Sequence, residues 1–107
     1  MSVNRYTITN LSDYSNPKVV KKLLYSLDKL YHAAMWKGDG DSLAIYVDLK
    51  SAMYAKGVLT EKQMVYLKMW LDGYTQAEIG AKYKVGQDNI SYRIDNAVKN
   101  MSLFLGN

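Results

Sequence analysis

Three residues, Lys84, Val85 and Gly86, are all that separate two helical patterns near the end of the chain, and so short a gap limits how the two can meet. Apolar positions recur at helical spacing over 76–83 and again over 87–104, where Ile90, Ile94, Ala97, Val98, Met101 and Leu105 share one face. Three residues read as too few for two helices to lie antiparallel side by side, and as suited to a sharp crossing. Such a crossing asks for a small residue in the middle of the first helix, where Gly80 stands, and for an apolar residue tucked inward from the turn, which Val85 supplies. Ile79 and Tyr83 on one side, with Ile90 and Ile94 on the other, complete the expected internal contact.

The helix starts upstream are marked by residue spacing. Thr60 with Gln63, and Thr75 with Glu78, have the separation of a capping box, in which two side chains each take the other's backbone N–H. Leu59 with Met64, and Tyr74 with Ile79, stand where a hydrophobic staple would form. Gly73 falls where a helix ends on a left-handed residue, which predicts helices over 61–72 and 76–83. Nearer the N-terminus, Asn16 and Pro17 give a cap and a first helical residue. Val20, Leu23, Leu24, Leu27, Leu30, Tyr31 and Ala34 then form one stripe, predicting a helix over 17–36. The run KGDGD is a turn with Asp41 as the better cap, followed by a helix over 42–56 that Gly57 ends. Residues 1–15 read as an arm. The expectation is an all-α chain of about five helices, with the arm at 1–15, an N-terminal helical pair over 16–57 and a C-terminal domain over 58–107.

Composition removes several kinds of chemistry. There is no cysteine and a single histidine, His32, so disulfides, thiolate metal sites and cysteine nucleophiles are excluded and Ser–His chemistry has little to draw on. No acidic pair sits in a catalytic-looking context, so no enzyme, cofactor, metal or small-molecule substrate is expected. No stretch reaches the roughly 18 apolar residues of a membrane span, and the first residues lack the apolar run of a secretory signal. The expected location is the cytoplasm, with no membrane partner. Of ten tyrosines, Tyr25, Tyr31, Tyr46, Tyr54, Tyr66, Tyr74 and Tyr83 mostly track apolar positions and are expected in core and interface packing with the hydroxyl at the edge, rather than in base stacking. Trp70 is expected to be structural, and Trp36, at a helix end, to be structural or an interface anchor.

Over residues 59–101 the chain resembles region 4 of bacterial sigma factors and the related small regulators of phage genomes. The resemblance is carried by Leu59, Thr60, Leu67, Asp72, Gly73, Thr75, Glu78, Ile79, Val85, Ile90 and Ala97. It implies a helix-turn-helix, a phage-encoded transcriptional regulator acting in the bacterial host cytoplasm, double-stranded DNA as ligand and RNA polymerase as a partner. The chain departs from the pattern at Lys84, where glycine is usual, at Gly86, where Ser or Thr is usual, and at Lys99 and Asn100, where a basic cluster is usual.

In that reading the helix over 87–104 enters a major groove and its N-terminal half reads sequence. Gln87 and Asn89 suit adenine, Ser91 suits a base edge or phosphate, and Tyr92 and Arg93 suit the backbone or a guanine. Thr75 and Gln76 open a helix whose first N–H groups suit a phosphate, and Lys84 lies in the turn between. Asp88 favours the helix N-terminus yet opposes phosphate, unless it accepts from a cytosine amino group. Charge limits the affinity. Residues 60–107 hold six basic and five acidic side chains, so only one of the chain's four net positive charges lies there. Because non-specific DNA affinity is mostly phosphate neutralisation, dimerisation or a higher homo-oligomer, the N-terminal half or RNA polymerase has to assist. Lys18, Lys21, Lys22 and Lys29, opposite the apolar stripe of their helix, offer a second phosphate-facing surface or simply a solvated face. Two alternatives stand beside DNA reading: a protein–protein interaction module acting on RNA polymerase or another regulator, and a small DNA-packaging subunit that forms rings.

Overall fold

The computed structural model describes residues 14–106. They form α1 (Pro17–Tyr25), α2 (Leu27–Trp36), α3 (Gly40–Tyr54), α4 (Glu61–Leu71), α5 (Gln76–Tyr83) and α6 (Gln87–Leu105), with no strand among them. The all-α expectation holds. The arm expected over 1–15 lies, apart from Tyr14 and Ser15, outside the described residues.

Helix α6 is the organising element, because it packs against α1, α3, α4 and α5, whereas α2 rests chiefly on α3. Val20 and Leu24 of α1, Leu49 and Met53 of α3, Leu67 of α4, Ile79 of α5, and Ile90, Ile94 and Met101 of α6 are fully buried. They belong to one continuous core. Burying a side chain of this size contributes about 1.5–3 kcal/mol each before entropy is counted.

The predicted helix over 17–36 is two helices. Ser26, with ψ near 16°, leaves the helical conformation while its N–H still bonds back to the carbonyls of Lys22 and Leu23. The break has a packing cause: α1 is laid against α6, α2 against α3, and one straight stripe cannot face both. The start of α3 also differs from expectation. Asp39 caps it rather than Asp41, accepting the N–H groups of Asp41 and Ser42 at 3.1 and 3.3 Å and the Ser42 hydroxyl at 3.0 Å. Its end differs too. The helix stops at Tyr54 with Ala55 extended, and Gly57, at φ 82°, serves the turn that Val58 N–H closes onto the Ala55 carbonyl.

At the C-terminal side the local signals hold. Both capping boxes form. Gly73, at φ 103°, ends α4, with its N–H on Trp70 and the next N–H, of Tyr74, on Met69, the paired bonds of a Schellman motif. The tyrosines pack ring against ring, Tyr25 on Trp70, Tyr31 on Tyr46 and Tyr66 on Tyr83, but differ in burial. Of the seven placed in packing, only Tyr66 is buried and Tyr46 half-buried, while Tyr25, Tyr31, Tyr54, Tyr74 and Tyr83 are exposed. Tyr14 is buried instead. Its hydroxyl donates to Asp48 Oδ2 at 2.7 Å and its carbonyl accepts from the buried Ser102 hydroxyl, tying the chain before α1 to α3 and α6. Burial, with the hydrogen bond and the negative charge of Asp48, pushes the Tyr14 hydroxyl well above the ordinary tyrosine pKa.

Candidate nucleic-acid interface

The candidate surface is built on α5, the turn 84–86 and the first half of α6. At the start of α5, Thr75 Oγ1 accepts from Glu78 N–H at 3.1 Å and Glu78 Oε1 accepts from Thr75 N–H at 2.8 Å. The box fixes where α5 begins. It also sets a carboxylate at the terminus that Thr75 and Gln76 were expected to offer to phosphate, so an anion arriving there meets Glu78.

The turn is folded tightly back on α5. The Gly80 carbonyl accepts the N–H groups of both Lys84 and Val85, the latter at 2.9 Å. A Cβ at Gly80 would lie 2.7 Å from the Val85 carbonyl oxygen, closer than atoms approach without displacement. A small residue is therefore required at 80, where the turn backbone leads into α6 and the N atom of Gln87, the first residue of α6, lies 3.5 Å from that Cβ. Lys84 takes the left-handed conformation, φ 58° and ψ 43°, which costs a residue with a Cβ about 1–2 kcal/mol. Its side chain is exposed, and Val85 is half-buried against the core as expected.

Gly86 caps α6 without a side-chain hydrogen bond. From there Ile90 and Ile94 point into the core, which turns Asp88 and Tyr92 outward by helical geometry, with Gln87 and Ser91 on one flank and Asn89 and Arg93 on the other. Gln87, Asp88, Asn89 and Tyr92 are exposed, Tyr92 at 68%, while Ser91, Arg93 and Gln76 are half-buried. Asn89 and Arg93 act as a pair, since Arg93 Nε donates to Asn89 Oδ1 at 3.0 Å. The guanidinium is thereby held along the helix, and the Asn89 carbonyl oxygen has one of its two acceptor sites occupied.

One member of this surface was invisible to local reasoning. Asp95, on α6 beyond Tyr92, is neutralised by Lys21 of α1 through a 2.8 Å ion pair. The same ammonium lies 5.8 Å from the Trp70 ring centre, and that ring packs against Tyr25. Two residues 74 positions apart leave no mark of their pairing in local sequence. Lys21 is thus committed within the chain, unlike the freely solvated lysine expected. Among the described residues no cluster of acidic or histidine side chains is arranged to hold a metal, and no helix is long and apolar enough to cross a membrane.

Comparison with protein families, with curated proteins and with solved structures gives no match, so the reading of this surface rests on its own geometry.

Proposed function

We propose that the chain is a sequence-specific double-stranded DNA-binding transcriptional regulator, phage-encoded, whose α5, turn and α6 form a helix-turn-helix of the sigma region 4 type. The observation that carries this reading is the locked turn. With the Val85 carbonyl over Gly80, α6 leaves α5 at a fixed angle and holds Gln87, Asn89 and Tyr92 in solvent at its leading end. A rigid helix presenting amide and aromatic side chains at its N-terminal half suits the major groove. Asn89 reads a base while Arg93 supports it, and Lys84, exposed at the turn, suits a flanking phosphate.

The test is a fluorescence titration against fragments of the source genome, with a scrambled duplex as control, repeated across salt concentrations. A fragment held above control with affinity falling steeply in salt is the expected result. Asn89→Ala then lowers the preference by about tenfold or more, the size of one lost paired base contact. No fragment above control at low salt would overturn DNA reading.

The second reading is an interaction module for RNA polymerase or another regulator. It is favoured by the single net positive charge of residues 60–107 and by Asp88, exposed on the outward face of α6. Retention of polymerase in a pull-down that Asp88→Lys abolishes, without DNA binding, is the result it expects.

A further inference from the structure

We infer that the outer face of α2 and α3, with the groove that continues it, is the surface through which two copies of this chain associate. On α3, Leu43, Val47, Lys50 and Tyr54 fall at successive turns of one stripe that points away from the buried Ile45, Leu49 and Met53. Leu43, Val47 and Tyr54 are 42, 49 and 55% exposed. Helix α2 extends the band: Tyr31 packs its ring against Tyr46 at 5.3 Å, and Met35, one turn on, is 55% exposed. Single apolar residues on a surface need no explanation, but several large ones exposed on two helices packed together point to an interaction site.

The charges on this surface select the occupant. The groove, about 440 Å³, brings Asp28, Lys50, Lys68 and Asp72 together. None of the four forms an ion pair among the described residues, where Lys21–Asp95 is the one such bridge. The lysines lie instead over tyrosine rings, Lys50 at 5.6 Å and Lys68 at 5.5 Å from the centre of Tyr54. Two carboxylates and two ammoniums sum to zero, which repels neither a polyanion nor a polycation but attracts neither. A two-fold related copy does better, because an isologous contact sets each patch against itself and lets the carboxylates of one copy meet the ammoniums of the other. Apolar anchors ringed by self-complementary charge fit a second copy of this chain. The inference goes beyond the DNA reading and does not depend on it, since the mass is read without DNA.

Sedimentation of the full chain across a concentration series tests it. The expected species at micromolar concentration has twice the 12.2 kDa of one chain. Two charge variants probe the surface. Lys50→Glu with Lys68→Glu makes the groove wholly acidic, and Asp28→Lys with Asp72→Lys makes it wholly basic. Each alone is expected to sediment as a monomer that keeps the helical circular-dichroism spectrum of the wild type and melts somewhat lower, having lost the stabilisation of association. Mixed one to one, they are expected to form the heterodimer at least tenfold more tightly than either associates with itself. A wild-type monomer at every concentration overturns the inference. So do variants that dimerise alone as the wild type does, or a mixture that remains monomeric.

Discussion

Helices α2 and α3 are joined by Lys37, Gly38 and Asp39, and α5 and α6 by Lys84, Val85 and Gly86, so both pairs are connected by three residues. Both linkers also contain a left-handed residue, Gly38 at φ 67° and Lys84 at φ 58°. Yet α2 and α3 lie alongside each other far enough for the Tyr31 and Tyr46 rings to meet, tilted by 53°, a turn and a half from the linker, whereas the α5–α6 turn is pressed onto α5 itself. Linker length therefore does not decide the arrangement, and the sequence argument that three residues forbid side-by-side packing fails on α2 and α3. The deciding feature is what meets the linker. A Cβ at Gly38 or Gly40 would touch nothing within 4 Å, while one at Gly80 would strike the Val85 carbonyl at 2.7 Å. One turn is open and the other closed on backbone.

The largest effect should come from the helix both pairs share. Ile94 is fully buried on α6, and Ile94→Ala is expected to cost about 3–4 kcal/mol. Because α6 packs on α3 as well as on α4 and α5, α2–α3 and α5–α6 should still unfold in one transition. Separate transitions for the two pairs, seen by denaturant titration with Trp fluorescence and circular dichroism, would show that the two pairs fold independently. Next comes the closed turn. Gly80→Ala should destabilise by about 2 kcal/mol, since overpacking against rigid backbone exceeds the gain in helix propensity. Gly40→Ala, with open space around it, should lie within about 0.5 kcal/mol of wild type. Equal costs at the two glycines would remove the distinction drawn between the turns.

What was legible in the sequence follows the same division. The start of α4, the whole of α5 and the start of α6 were readable because their causes are local: Thr60 and Gln63, Thr75 and Glu78, and Gly73 each act on backbone within a few residues. Gly80 was readable as a small residue where the next helix begins, although the close approach of the Val85 carbonyl was not. In the N-terminal half the causes are distant. The break at Ser26 exists because α1 and α2 have different partners, and nothing in residues 17–36 states where those partners will be. Asp39 and Asp41 can both cap by spacing, and only the folded structure shows Asp39 also accepting from the buried Ser42 hydroxyl. The tyrosines were readable as packing residues but not by depth: they follow apolar spacing, while their polar ends let most of them stay at the surface. Within the candidate site, Gln87, Asn89 and Tyr92 were readable as exposed, whereas the Asn89–Arg93 pairing and the neutralisation of Asp95 needed coordinates.

The two left-handed positions should respond in opposite senses to the exchange of side chain and glycine. Lys84→Gly relieves the cost of a Cβ at φ 58° but frees the unfolded chain, so thermal or urea unfolding should report a gain of about 0.5–1 kcal/mol. Gly38→Ala runs the exchange backwards at φ 67° and should lose about 1 kcal/mol. The same sign at both sites would mean that one linker is not held as described.

The smallest expected effect concerns the link between the N-terminal helices and α6. Lys21 and Asp95 meet at 2.8 Å, yet their side chains are 36% and 57% exposed, so water and salt screen the attraction. Lys21→Gln should therefore cost only about 0.5 kcal/mol of stability, less at high ionic strength. Its effect on DNA binding should be larger than its effect on folding, because it uncovers the Asp95 carboxylate on the helix proposed to face phosphate. Asp95→Asn, which removes that carboxylate instead, should cost the same stability and tighten binding. Two variants that weaken the fold equally but move affinity in opposite directions would separate the charge on α6 from the mere docking of α1. If both change binding alike, the ion pair serves only to hold α1 in place.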